Sequence, residues 1–161
     1  MILCDIDGTI AATGEFLQSR YGIPLAEYPA PFPKEFWTSQ EGYEAFRDAA
    51  PIPGAVEALK MLDQSNPVHY ITVRSPEMKF VTFRWLQLHD FPQGAVFFCD
   101  NLKEKGDVAR DAALVFDDDP KAPLFYLFRQ LIMIARPYNQ GEGTWEQVLR
   151  EGGSKRTRKR F

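Results

Sequence analysis

The chain has 161 residues, 45% of them hydrophobic, with a formal charge of −3; this suits one domain with a real core and a small insertion. Five of its 19 basic residues (Lys155, Arg156, Arg158, Lys159 and Arg160) crowd the last seven positions, leaving 14 bases against 22 acids in the body. So acidic a body argues against a broad nucleic-acid footprint on the folded part, whereas an acidic pocket charged with cation suits phosphate chemistry. No apolar run approaches the length of a membrane span, and no charged leader precedes a hydrophobic stretch. Cys4 and Cys99 lie in apolar runs and read as buried free thiols, so a cytoplasmic, reducing setting without membrane contact is expected.

The first element is Ile2-Leu3-Cys4, too short for a stable helix and followed by Asp5-Ile6-Asp7-Gly8-Thr9. It reads as a buried parallel strand that surfaces at its carboxyl end. Alternate residues of a strand share a face, so Asp5 and Asp7 aim at one point, and a divalent cation would remove their repulsion. Gly8 permits a tight turn that exposes N–H groups beside the acids. Taken alone the pattern is equally a strand and an Asp-Gly turn. It is not a calcium loop of the EF-hand type, because the glycine comes too early and no glutamate stands at the twelfth position.

Next come a short helix, Glu15 to Tyr21, a passage broken by Pro24, Pro29, Pro31 and Pro33, and a second helix, Glu35 to Ala49, carrying Phe36, Trp37, Tyr43 and Phe46. Residues 13–50 thus form an insertion that would hang over the end of the acidic strand, and its aromatics serve either a small core or a flat substrate group. Pro53-Gly54 opens a helix with Val56, Leu59 and Leu62 on one face, closed by Ser65-Asn66-Pro67. Val68 to Val73 is a second strand with Thr72 and Arg74 at its carboxyl end, and Pro76 starts a helix that runs to about His89. A hydroxyl and free N–H groups at such a strand-to-helix junction suit a phosphate oxygen.

Val96 to Cys99 is the third strand, and Asn101 to Arg110 a charged helix holding Lys103 and Lys105. A phosphoryl site needs a cation between carboxylate and incoming oxygens; Lys105 is preferred because Lys105-Gly106-Asp107-Val108 reads as a helix entry, with Lys103 as the alternative. Ala113 to Phe116 ends in Asp117-Asp118-Asp119-Pro120, three acids that repel one another unless a cation or backbone donors stabilise them. Leu131 to Ala135 is a fifth strand and Thr144 to Leu149 a closing helix, before a basic tail, 151–161. The tail is either a solvated end or a tether to nucleic acid or another anionic partner. The phosphate-site candidates all belong to a core formed by 1–12 and 51–150.

In this order, Asp5-Ile6-Asp7-Gly8-Thr9, Thr72, Lys105 and Asp117-Asp118 resemble the four motifs of the haloacid dehalogenase superfamily of phosphohydrolases. Pro51-Ile52-Pro53-Gly54-Ala55-Val56-Glu57-Ala58-Leu59 and Arg136-Pro137-Tyr138-Asn139 look like segments of 5′(3′)-deoxyribonucleotidases and related phage and bacterial hydrolases; the likeness runs from residue 1 to about 150. It implies an α/β fold, a Rossmann-like parallel sheet of order 3-2-1-4-5 flanked by helices, with a small helical cap inserted after the first strand. It also implies a Mg²⁺-dependent, 5′-nucleotidase-like phosphatase that passes through an aspartyl phosphate and takes a (deoxy)nucleotide monophosphate or similar small ester. Residue by residue, Asp5 resembles the family nucleophile and metal ligand, and Asp7 the general acid/base whose carbonyl also binds Mg²⁺. Thr72 and Lys105 match the phosphate-binding hydroxyl and lysine, Asp118 the metal ligand and Asp117 its support, while Gly8, Thr9 and Arg74 fall where substrate is held. On this pattern metal and Lys105 keep Asp5 ionised and Asp7 titrates higher. Val73-Arg74-Ser75 stands where many relatives have Ala-Arg-Pro, a departure that bears on substrate. Two other readings are a phosphatase of nucleic-acid ends tethered by the tail and a non-catalytic binding domain on the same fold.

Overall fold

Each short apolar run becomes a strand in the computed structural model, which describes residues 1–127 and 130–152. The strands are β1 (Ile2–Asp5), β2 (Val68–Thr72), β3 (Val96–Phe98), β4 (Leu114–Asp117) and β5 (Gln130–Met133). They form one parallel sheet in the order β3-β2-β1-β4-β5, as expected. Every residue of β1 and β4 is buried and the outer strands are half-buried, which is why the inner sequences read as unbroken apolar runs.

The described α-helices are α1 (Thr13–Tyr21), α2 (Gln40–Asp48), α3 (Ala55–Asp63), α4 (Lys79–Leu88) and α5 (Leu102–Val108), which lie between strands, and α6 (Trp145–Gly152), which follows β5. Side chains alternate across β1, so Ile2 and Cys4 join Leu59, Trp85 and Trp145 on the face covered by α3, α4 and α6. Leu3 packs on the other face with Ile71, Val115, Ala109 and Tyr126. Both cysteines are buried and free, and no described helix is long and apolar enough to cross a membrane.

The helix expected over 35–49 is two pieces. A 3-10 turn (Lys34–Thr38) is followed by extended backbone at Ser39, whose hydroxyl caps α2 by accepting the Gly42 N–H at 3.3 Å. The turn lies so close to α2 that any side chain at Gly42 would overlap the Phe36 carbonyl. The second strand stops at Thr72, leaving Val73 half exposed, and α4 is preceded by a 3-10 turn (Pro76–Met78) capped by Ser75. The fifth strand is shorter than expected, and Glu151 and Gly152 extend the last helix. The basic part of the expected tail lies outside the described residues.

Because all strands run one way, their carboxyl ends share a rim. Cys4 stands beside Tyr70 and Phe116 in the register, so Asp5, Thr72 and the Asp117-Asp118 pair emerge together along it.

Candidate active site

Asp5 ends β1, and the chain then folds back on itself: the Gly8 N–H donates to the Ala11 carbonyl, while Ile10 and Ala11 both donate to Ile6. That reversal needs a left-handed residue, and Gly8 has φ +80°. A side chain there would overlap the Asp118 carboxylate and meet the Tyr138 hydroxyl at 2.5 Å, so the glycine also makes room for a second acid. Thr9 is fully buried; its hydroxyl donates to Asp118 Oδ1 at 2.5 Å, and its carbonyl accepts the Trp145 indole N–H at 2.8 Å.

Lys105, on α5, is 2% exposed. Its ammonium donates to Asp5 Oδ1 at 2.6 Å and to Asp117 Oδ2 at 3.1 Å. Lys103 faces solvent. Asp117 accepts two further donors: Oδ2 also accepts the Tyr126 hydroxyl at 2.8 Å, and Oδ1 the Asp119 amide at 2.9 Å. Asp118 accepts Thr9 and Tyr138, and its carbonyl accepts the Asn139 side chain at 2.7 Å. Asn139 also donates to Ile134 and accepts from the Arg136 and Gly141 amides, fastening the loop after β5 beneath the acids. Above them, the Tyr28 hydroxyl donates to Asp119 at 2.5 Å and its ring stacks on Tyr138 with centroids 4.5 Å apart.

Asp7 is held apart from this group. Its Oδ1 accepts Arg74 Nη2 at 2.7 Å and the Thr13 hydroxyl at 2.6 Å; its Oδ2 accepts Arg74 Nε at 2.7 Å. Arg74, expected to bind substrate, has its side chain 1% exposed and its fork turned onto Asp7 and Thr82. Thr72 is buried and accepts the Arg74 amide at 3.1 Å; its own hydroxyl proton has no acceptor among the described residues and points to the role of a donor.

Burial pushes the Asp5 carboxyl well above the usual carboxylate range; Lys105 pulls it down, but Asp117 and Asp118 push it up again. Asp118 is pushed up to about 7, by burial first and then by Asp117. Burial favours a neutral Lys105, yet Asp117 and Asp5 outweigh it and hold the ammonium. Burial likewise opposes ionisation of Asp7, but the Arg74 guanidinium and the Thr13 hydroxyl bring it below the ordinary value. From the protein's own groups, then, the expected order of the two N-terminal acids is reversed. The reason is Arg74, which gives Asp7 a private counterion while Asp5 shares Lys105 with two competitors.

The donor set fits a hard divalent cation. Asp5, Asp117 and Asp118 each bring a carboxylate oxygen within 4.8 Å of the others, all are oxygen ligands, and one ammonium faces three carboxylates, leaving two negative charges to balance. Since Asp117 already accepts three donors, Asp5 and Asp118 are the acids with more capacity left. The Asp7 carbonyl, for its part, has no donor among the described residues. Tyr28, Tyr126, Thr13 and Thr82 were not singled out in the sequence; only Tyr138 carried a signal, as part of Arg136-Pro137-Tyr138-Asn139.

No family model and no curated protein matches the sequence. Solved structures do match. A chain of the Pnkp1/Rnl/Hen1 complex aligns with TM-score 0.57 at 15% identity, over 88% of this chain and 46% of that one. A haloacid dehalogenase family hydrolase from Deinococcus radiodurans R1, with bound phosphate and sodium, aligns with TM-score 0.56 at 14% identity over 96% and 88% of the two chains. The class C acid phosphatase from Bacillus anthracis aligns with TM-score 0.55 at 18% identity over 96% and 78%. The chain thus spans less than half the length of the complex component and most of the length of the two hydrolases. At these identities the likeness is one of architecture: the chain has the α/β fold of haloacid dehalogenase-like hydrolases and phosphatases.

Proposed function

We propose that this chain is a Mg²⁺-dependent phosphomonoesterase that works through an aspartyl phosphate on Asp5, with a (deoxy)nucleotide monophosphate or similar small ester as substrate. The observation that carries the reading is the pairing of one buried lysine with Asp5 and Asp117 beside Asp118, at the rim where Thr72 still has a proton to donate. Asp5, Asp118 and the Asp7 carbonyl would hold the cation, which when bound neutralises charge on the phosphoryl oxygens.

Asp5 attacks phosphorus in line; the bond to the ester oxygen breaks, and that oxygen leaves with its electron pair and takes a proton from Asp7, which must first be protonated against the pull of Arg74 and Thr13. Water then gives a proton back to Asp7 as it attacks the aspartyl phosphate and releases Asp5. Lys105 keeps the Asp5 carboxylate aimed, and Thr72 and Lys105 orient the phosphoryl group. Uncatalysed monoester hydrolysis is so slow that such sites accelerate it by up to about 10²¹-fold. Positioning and charge neutralisation supply most of that, because phosphoryl transfer asks little covalent help.

A second reading keeps the chemistry and changes the substrate to nucleic-acid ends. It is supported by the likeness to a component of an assembly described as an RNA repair complex. One screen tests both: phosphate release, with Mg²⁺ and with chelator, over 5′- and 3′-(deoxy)nucleotides, sugar phosphates and phosphorylated oligonucleotides. The first reading expects small esters to be preferred. The second expects oligonucleotides, with a salt-dependent loss of that activity when residues 154–161 are deleted while a nitrophenyl ester is spared. No Mg²⁺-dependent release on any substrate would refute both and return the chain to a binding domain.

A further inference from the structure

The acid–base residue is tied to the insertion between β1 and α3, directly through Thr13 and indirectly through Arg74. Arg74 touches both Asp7 and α2. Its Nε and Nη2 hold the two Asp7 oxygens at 2.7 Å, Nη1 donates to Thr82 at 3.1 Å, and the guanidinium carbon lies 4.1 Å from the centre of the Phe46 ring. Each neighbour is itself fixed. Thr82 is fully buried and donates its hydroxyl proton to Met78 at 2.9 Å, which turns its lone pairs toward Arg74. Phe46, on α2, is 3% exposed and packs with Met78 and Val81 of the α4 region and with Trp37.

We infer that Arg74 is a positioning residue that aims the Asp7 carboxylate, and that Phe46 sets the aim of Arg74, so that the seating of α2 governs the acid–base part of the reaction. The inference rests on the phosphomonoesterase reading. Three segments meet at one planar group, and a fork held at both ends and stacked on a ring has one orientation available. Lysine would supply the charge but neither the two parallel bonds nor the stacking plane. With two donors on Oδ1 and one on Oδ2, Oδ2 keeps the more open lone pair, so it is the oxygen that hands a proton to the ester oxygen as the P–O bond breaks. An Arg74 that swings with Phe46 would turn Oδ2 away while leaving Asp5 and Lys105 in place.

The test separates misaim from general damage through the leaving group. An aryl ester with an acidic leaving group needs little protonation, whereas an alkyl ester depends on it, so kcat/KM is measured on p-nitrophenyl phosphate and on glycerol phosphate. The variants are Phe46→Leu, Phe46→Ala, Arg74→Lys, Arg74→Ala and the Phe46→Ala/Arg74→Ala double. General-acid catalysis supplies about 10²- to 10⁴-fold, so a misaimed Asp7 is expected to lose about tenfold or more on the alkyl ester and under about threefold on the aryl ester. The double variant should be no worse than Arg74→Ala. Equal fractional losses on the two esters, or losses that multiply in the double, would overturn the inference. Where an alanine variant does not fold, Phe46→Leu and Arg74→Lys give the same comparison. If wild type releases phosphate from neither ester, or Asp5→Asn retains activity, the phosphomonoesterase reading fails and this inference falls with it. Turnover that vanishes in Asp5→Asn, alongside equal losses on both esters in Phe46→Leu and Arg74→Lys, refutes the role of Arg74 alone.

Discussion

Replacing Lys105 by methionine removes the one ammonium that faces Asp5, Asp117 and Asp118, and all four groups are buried. Methionine fills the stem's volume, so the cost is electrostatic. Breaking a buried pair and leaving its partner uncompensated typically costs about 3–5 kcal/mol, and in a domain of this size each kcal/mol lowers Tm by roughly 2–4 °C. Melting should therefore fall by about 6–20 °C at pH 8 in chelator. The pH dependence follows from Asp5 and Asp118, whose folded-state pKa values lie above their ordinary ones, near 7 for Asp118. A carboxyl raised by folding stabilises fully below its unfolded pKa, and that stabilisation is lost as pH rises through the folded one. Losing Lys105 raises both acids further, so the deficit should be largest at pH 8 and shrink at pH 5, where protons take the place of the lysine. Circular-dichroism melts of wild type and Lys105→Met at both pH values decide it. A variant that melts within about 2 °C of wild type at pH 8, or with one deficit at both pH values, would refute the reasoning.

Wild type in chelator should by the same sign be more stable at pH 5 than at pH 8 with respect to these two acids, and adding Mg²⁺ should raise Tm more at pH 8; an equal or absent shift would count against a cation on Asp5 and Asp118. Gly8→Ala meets both a left-handed backbone and the Asp118 carboxylate, so activity should be lost along with roughly 1–2 kcal/mol of stability, read by phosphate release and urea unfolding. Trp145→Phe removes the indole donation to Thr9 together with part of the buried ring volume and should cost about 1–3 kcal/mol. Trp145→Ala, which also empties the ring's site against Phe116, should cost about 3–5 kcal/mol; equal costs would mean that the hydrogen bond carries the whole effect.

The parts of the site legible in the sequence share one property: each is a polar residue at the end of an apolar run, as Asp5, Thr72, Asp117 and Asp118 are. A buried strand announces itself, and so does the residue at which it stops being apolar. The strand order came from the motif resemblance, since short parallel strands carry no mark of their neighbours. What pairs across the rim was hidden, because Arg74 lies 67 positions from Asp7 and Lys105 100 from Asp5. The resemblance puts Arg74 where substrate is held; nothing local says that Asp7 claims its fork. Tyr126 and Tyr28 were hidden for the same reason, lying in loops whose folding back is a tertiary matter. The break at Ser39 places the 3-10 turn against α2, where Gly42 leaves room for the Phe36 carbonyl, a tertiary contact that the run Glu35 to Ala49 does not announce.

The central claim, that Asp5 is the nucleophile of a cation-assisted phosphoryl transfer, is tested most directly by catching the covalent species. Wild type and Asp5→Asn would be mixed rapidly with the best ester and Mg²⁺, quenched in acid, and reduced with borohydride, which converts an acyl phosphate to the alcohol; mass spectrometry then reads the N-terminal peptide. The account predicts reduction at residue 5 in wild type and none in Asp5→Asn, which should also fail to turn over. Turnover by Asp5→Asn at the wild-type rate, or phosphate trapped on any other residue, would contradict it.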